Sequence, residues 1–377
     1  MTIKHLLVDL STHGFGHFAQ MSMVLNELNR LSLPIKITLR STLPTTIIHE
    51  RLHFPMTMIH HPLDKGMVMH NAVQVDANAS YHYYQQLHEN YEQHVTDEVA
   101  HLRALAPDLL IADVPYLSLS AAAQLGIPSI ALCSLNWAGI FQSFCADFPN
   151  ASKITQDIIQ AYSSAQRFLT VTPSMLMPEL PNTQAIPPIA YQGNDQLKTL
   201  QAQVGDSQAR FILVSLGGIP TTINPDNWPH IKGTYWIVGA GVQCNRSDVL
   251  SQTDIDLPFI DLLSSCQALV TKTGYGLLVE ATINQVPVIC VERGDWPEEP
   301  ELFRWVAHHG YLQVVSMQAL NTGELSTEIN NALQIDWQKP TVAANGAQVA
   351  ANIIRHTLNK AEFSYPTQEF AVECKPQ

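Results

Sequence analysis

Short apolar runs that end in a turn, each followed by a stretch with apolar residues at helical spacing, recur along nearly the whole 377-residue chain. Strands alternating with helices in this way predict a parallel sheet covered on both faces, which is why the strand runs are apolar almost throughout. In the first half, IKHLLVDL reads as a strand, GFGHFAQ as the turn after it and MSMVLNELNRL as a helix. PIKITLRS, TTIIHERL and TMIHHPL follow as strands or short helices, and residues 80–106 predict one long helix that stops before Pro107. DLLIADV, AAAQLGI, PSIALCSL, a helix near 152–166 and RFLTVTP continue the alternation.

Residues 173–195 carry five prolines and little periodicity, and predict a linker. Beyond them the pattern restarts with RFILVSLGG, TYWIVGAG, QALVTKTGYG with its helix LLVEATINQ, and PVICVERG. Residues 344–360 predict a final helix, with the tail after it on the surface. A chain of this length exceeds one ordinary core. The expected organisation is therefore an α/β domain over 1–180, a second over 186–345, and a C-terminal segment over 346–377. Two doubly wound domains in tandem predict a ligand in the cleft between them, outside the carboxyl ends of the strands.

Charge and cysteine usage narrow the partners. A net charge of −13 argues against a nucleic-acid partner or an anionic lipid surface, since both require a basic face. The six cysteines are scattered, without a C-x-x-C pair or a zinc-like spacing, and predict buried thiols in a reducing compartment. The N-terminal apolar run is too short for a signal peptide and no later run is long enough to span a bilayer, so the chain is expected to be cytoplasmic.

Four stretches fall at predicted strand ends. In STHGFGH, glycines permit a tight turn into a helix whose first N–H groups face an anion, and His17 is either a base or an exposed histidine on that turn. His13, nearer the strand, would shape the loop or touch phosphate. Asp113 ends the strand LIAD, either orienting an imidazole or capping the next helix. Gly217 and Gly218 follow a strand and allow either close approach of a phosphate or a plain turn. In TKTGYGLLVE, residues Thr273 to Gly276 turn into a helix suited to a diphosphate, and Glu280 lies within reach of a ribose diol. The acidic loop ERGDWPEEPE that follows places Trp296 among its glutamates.

With these stretches in place, the chain resembles the GT-B nucleotide-sugar glycosyltransferases in the order of its elements. STHGFGH is similar to the amino-terminal glycine loop of that superfamily, and IADVPYLSLSAAAQLGIPS to the segment whose aspartate pairs with the loop histidine. TKTGYGLLVEATINQVPVICVERGDWPEEPEL resembles the nucleotide-binding segment of the peptidoglycan lipid-precursor N-acetylglucosaminyltransferases. It is more similar still to the glycosyltransferase-like amino-terminal half of L-arabinokinases. The plant-type W-x-P-Q signature is absent and DLPFIDLLSSC stands there. Lys272-Thr273-Gly274 replaces the histidine of the plant-type helix turn.

The resemblance implies two Rossmann-like domains facing a cleft, with the final helix crossing back to the first. It implies transfer of a sugar, with inversion, from a nucleoside diphosphate sugar, a UDP-sugar foremost, to a hydroxyl of a small-molecule or lipid-linked acceptor. His17 is expected as base and Asp113 as its orienter. Gly14, Gly16, Gly217, Gly218, Lys272, Thr273, Gly274, Tyr275 and Gly276 are expected around the diphosphate, and Glu280 on the ribose. Trp296, Glu298 and Glu299 are expected at the donor sugar, and Tyr116, Trp137 and Phe141 near the acceptor. No metal or other cofactor is expected, because backbone N–H groups, the helix dipole and Lys272 can meet the leaving charge. A nucleotide-sugar epimerase and a non-catalytic nucleotide-sugar-binding protein are the alternatives.

Overall fold

A computed structural model describes residues 2–11, 15–217 and 221–360. Gly14, Gly218, His13 and the tail after 360 lie outside the described residues.

The first sheet contains β1 (Lys4–Leu10), β2 (Ile35–Ser41), β3 (Thr57–His60), β4 (Leu109–Asp113), β5 (Ser129–Cys133), β6 (Arg167–Val171) and β7 (Thr183–Ile186). Its helices are α1 (Phe15–Arg30), α2 (Thr45–Arg51), α3 (Ala77–Glu89), α4 (Tyr91–Leu105), α5 (Leu117–Leu125), α6 (Trp137–Cys145) and α7 (Ala151–Ser164). The second half begins with α8 (Leu197–Val204) and builds a sheet from β8 (Arg210–Ser215), β9 (Thr234–Val238), β10 (Val249–Ser251), β11 (Ala268–Lys272), β12 (Val288–Val291) and β13 (Leu312–Val315). Between and after these run α9 (Phe259–Ser264), α10 (Tyr275–Ile283), α11 (Glu299–His309), α12 (Met317–Thr322), α13 (Ser326–Leu333) and α14 (Gly346–Lys360).

Every pairing within the two sheets is parallel. The orders are β3-β2-β1-β4-β5-β6-β7 and β10-β9-β8-β11-β12-β13. Each sheet therefore reverses direction once, between β1 and β4 and between β8 and β11. At such a switch point the two loops leaving adjacent strands part to opposite faces and leave a crevice at the carboxyl edge. The register sets Leu10 beside Asp113 and Ser215 beside Thr271, so the loops that open the two crevices start level with each other.

Apolar runs sit where two-sided burial demands them: Leu6, Val8 and Leu10 face one layer of helices, and Leu7 the other. One apolar cluster passes from β1 and α1 through α14 into the face of the second sheet covered by α10. A second fills the space beneath α3 to α7, and a third, with Trp228 and Trp236, lies under α12 and α13. Among the described residues no helix is long and apolar enough to cross a membrane.

Three expectations differ in detail. The stretch GFGHFAQ, expected as a turn ahead of a helix from Met21, is helical from Phe15, so His17 sits on the first turn of α1. The helix expected over 80–106 is two helices, α3 and α4, separated at Asn90, whose φ of −121° is outside the helical range. Asparagine competes for its own backbone, and Asp76 supplies a separate start for α3 by accepting a hydrogen bond from Ala79 N at 2.9 Å. The stretch expected as linker contains β7, which pairs with β6 at the sheet edge. Just past β7 the chain runs beside the segment that leads into α14. Ile189 bridges Asn345, and Gly346 N donates to Pro188 O at 3.0 Å. A Cβ on Gly346 would lie 2.0 Å from Pro187 O, so the close approach needs glycine. From there α14 packs on α1.

Candidate active site

A cleft of about 530 Å³ opens where the carboxyl edges of the two sheets meet. The first half contributes Gly16, His17, Gln20, Arg51, Met69 and Ser134 to its walls. The second contributes Gly217, Lys272 to Gly276, Glu280, Arg293, Trp296 and Glu298.

His17 is carried into the cleft by the first turn of α1, directly after β1. Its Nδ1 lies 3.2 Å from Asp113 Oδ1, at the end of the neighbouring strand β4. Asp113 is not the cap of α5, whose N-cap residue is Tyr116. With Nδ1 engaged, Nε2 is the nitrogen left for a ligand. Burial disfavours a charged imidazole here, but the charge and hydrogen bond of the adjacent Asp113 carboxylate, with a further contribution from Cys133, hold the His17 pKa well above the usual 6.5. Cys133 Sγ, at the end of β5, is 3.6 Å from the same Nδ1, and burial pushes the thiol up and keeps it neutral. The ligating atoms of His17, Asp113 and Cys133 lie within 4.8 Å of one another, so a cation and the hydrogen-bonded pair are rival uses of one cluster.

Facing them is the start of α10. The first N–H groups of a helix have no partner within it, and those of Tyr275, Gly276 and Leu277 border the cleft. Gly217 adopts a φ of +82°, and a Cβ there would come 3.6 Å from Lys272 Cε. Lys272 is pushed down to about 8 by burial and then by the nearby Arg293. Arg293 is itself pushed down to about 10 by burial, and its guanidinium lies 3.6 Å over the Trp296 ring. Two buried cations beside an unfilled helix N-terminus form a strongly electropositive wall.

Two carboxyls complete the site. Burial raises Glu280 to about 7 against the opposing pull of Arg51 from the other wall. Glu298 is also raised by burial, while Ser134, Trp296 and the charge of His17 across the cleft pull the other way. Trp296 Nε1 donates to Glu298 Oε2 at 3.3 Å.

Some expected residues have other work. Glu299 is not among the cleft residues: it accepts from Arg293 N at 2.7 Å, from Gly294 N at 3.0 Å and from the Thr273 hydroxyl, and so fastens the loop before α11. The Tyr275 hydroxyl donates to Thr172 O at 3.0 Å and accepts from Ile189 N at 2.9 Å, so its ring borders the cleft while its polar end ties the linker. Thr273 N is taken by Val291 O. Tyr116, Trp137 and Phe141, expected near an acceptor, are fully buried in the core of the first half. Arg293, Arg51 and Ser134 in the cleft walls, and Cys133 beside the His17 ring, are residues that the sequence reading missed. Of these, Cys133 and Ser134, at the end of the buried strand β5, and Arg293, two residues past the buried strand β12, had a positional signal, and Arg51 had none.

No family model matches the chain. The architecture is similar to a solved glycotransferase of kitacinnamycin, with 15% identity, 95% of this chain and 100% of that one covered, and a TM-score of 0.61. It is also similar to Phytolacca americana UGT2 complexed with UDP-2fluoro-glucose and pterostilbene, with 16% identity, 95% of each chain and a TM-score of 0.56. The fold is GT-B. UDP-GlcNAc 2-epimerase from Methanocaldococcus jannaschii shares this GT-B architecture at 12% identity, 94% and 100% coverage and a TM-score of 0.54. In sequence, the GT-B chain is distantly related to L-arabinokinase of Arabidopsis thaliana, at 23% identity over 369 residues. It spans 34% of the length of that relative. GT-B is thus a fold that glycosyltransferases and nucleotide-sugar epimerases share.

Proposed function

We propose that the chain is a glycosyltransferase that moves a sugar, with inversion, from a uridine diphosphate sugar to an acceptor hydroxyl of a small or lipid-linked molecule. The observation that carries this reading is the His17–Asp113 pair standing in one cleft with the α10 N-terminus and Glu280. Glu280 accepts hydrogen bonds from the ribose hydroxyls. The diphosphate rests on the N–H groups of Tyr275, Gly276 and Leu277, with Gly217 giving backbone access and Lys272 and Arg293 supplying charge. Glu298 and Trp296 border the donor sugar.

In the transfer step, Nε2 of neutral His17 takes the acceptor proton as the acceptor oxygen bonds to the anomeric carbon. The bond from that carbon to the diphosphate oxygen breaks, and its electron pair stays with the diphosphate. Asp113 holds the ring and stabilises the imidazolium that results. Because Asp113 also favours the proton on His17 at rest, the reactive fraction is the deprotonated one and grows with pH.

The same feature favours a second reading. His17, which Asp113 inclines to hold a proton, stands across the cleft from Glu298. With one of the two protonated and the other not, they would form the acid and base pair that a nucleotide-sugar epimerase needs to take a proton from one face of the sugar and return one to the other. The test is incubation with candidate uridine diphosphate sugars, chosen by thermal shift, with and without acceptors. Release of UDP that depends on an acceptor supports transfer. A new epimer formed without acceptor replaces it with the second reading, and binding without turnover leaves a nucleotide-sugar-binding protein.

A further inference from the structure

Outside the cleft, three side chains converge where α4 covers the edge of the first sheet. Glu98 and His101 share a face of α4, three residues apart, and His61 follows β3 directly. Glu98 Oε2 lies 3.2 Å from His61 Nε2 and 3.4 Å from His101 Nδ1, and all three ligating atoms fall within 4.8 Å of one another. Donor atoms held at roughly 2.0–2.1 Å from a tetrahedral cation are about 3.3 Å apart, so both separations match edges of such a tetrahedron. The two imidazoles stand nearly perpendicular, at 87° with centroids 4.9 Å apart, and each aims one nitrogen at the same carboxylate oxygen.

Charge points the same way. Arg40 Nη2 contacts Asp9 Oδ2 and Glu98 Oε1, each at 2.5 Å, and its side chain is 1% exposed. One guanidinium between two carboxylates leaves a buried excess of one negative charge, on the side where the histidines stand. Water reaches that side, since the His101 side chain is 55% exposed and that of His61 20%.

We propose that His61, Glu98 and His101 bind a divalent transition metal of the zinc class, with a fourth position open to water. Two imidazoles and one carboxylate suit zinc better than the oxygen-seeking calcium or magnesium. The ion joins the end of edge strand β3 to α4 and does not depend on the glycosyl-transfer reading.

The test uses the full chain, stripped with a chelator and dialysed, then titrated with zinc chloride by calorimetry and with cobalt(II) by visible absorption. The expected result is saturable micromolar or tighter zinc binding with a tetrahedral cobalt spectrum. Zinc should also raise the melting temperature of the stripped protein. His101→Ala, an exposed substitution that spares the fold, and His61→Ala should each lose that zinc equivalent and its thermal effect. His17→Ala should keep both, which separates this site from the buried trio of the cleft. Absence of saturable binding, or equal binding by wild type and His101→Ala, overturns the proposal and leaves the histidines as hydrogen-bond partners of Glu98.

Discussion

His17 and Asp113 are 96 residues apart in the chain and 3.2 Å apart in the fold. The pairing arises because β1 and β4 are neighbours at the switch point, so the last residue of one strand meets the first helical turn after the other. If the two act as one unit, His17→Ala lowers kcat by on the order of a hundredfold or more and leaves donor affinity nearly unchanged. Asp113→Asn costs less, and adds little to the histidine mutant. Turnover in a double-mutant cycle, with donor affinity from calorimetry, checks this; multiplying effects would dissolve the pair.

The pH profile offers an independent reading of the same contact. Asp113 raises the His17 pKa, so the acid limb of kcat/KM lies above 6.5 in the wild type. Removing the negative charge in Asp113→Asn must move that limb to lower pH while the maximum falls. A limb that stays put would mean that another group titrates.

Glu280 makes opposite demands on stability and binding. Its folded pKa of about 7 exceeds the unfolded value, so the folded state holds the extra proton, and stability falls as pH rises from about 4.5 to about 7. Glu280→Gln should therefore raise the melting temperature of the ligand-free protein above pH 7. The same change should weaken UDP binding by about 1–3 kcal/mol, but 2′-deoxy-UDP much less. Equal losses for both ligands remove the ribose from this residue.

Donor affinity should peak between two limbs. Ribose binding needs the Glu280 carboxylate, so affinity rises through about pH 7, and diphosphate binding needs the Lys272 ammonium, so it falls through about pH 8. Calorimetry with a uridine diphosphate sugar, whose diester diphosphate does not titrate in this range, tests the shape. Glu280→Gln should flatten the acid limb and Lys272→Met the alkaline one; a flat wild-type profile would contradict both assignments.

Gly346→Ala should destabilise the fold by roughly 1–3 kcal/mol, since the new methyl meets the Pro187 carbonyl and neither backbone segment can move without disturbing the Ile189–Asn345 bridge. Denaturant midpoints check it, with Gly276→Ala, which meets nothing within 4 Å, as the control for helix propensity.

The parallel sheets were legible because two-sided burial writes itself as unbroken apolar strands, and Leu6 to Leu10 or Leu109 to Asp113 carry that signal without help from distant residues. The cleft residues at strand ends were legible for the same reason: once a strand is located, its carboxyl end is located too. The break at Asn90 was hidden because the apolar spacing continues across it, and β7 because four residues at an edge make little pattern among prolines. Glu298 and Glu299 show the limit most clearly. They are adjacent and chemically identical, yet one borders the cleft and the other fastens a loop, and only the path of the backbone from Arg293 to α11 separates them. Arg51 and Ser134 were missed because their role depends on which side chains stand opposite, in the other half of the chain.

The chain passes between its two halves twice, once after β7 and once into α14, and the two passages lie side by side at Ile189 and Asn345. The apolar cluster that runs from α1 through α14 into the second sheet continues that junction into the core. The start of α10 is tied to the junction directly, because the Tyr275 hydroxyl on its first turn accepts from Ile189 N at 2.9 Å and donates to Thr172 O at 3.0 Å. The seam at which the chain changes halves is thus one hydroxyl away from the cleft, and whatever shifts Ile189 shifts the first turn of α10 with it.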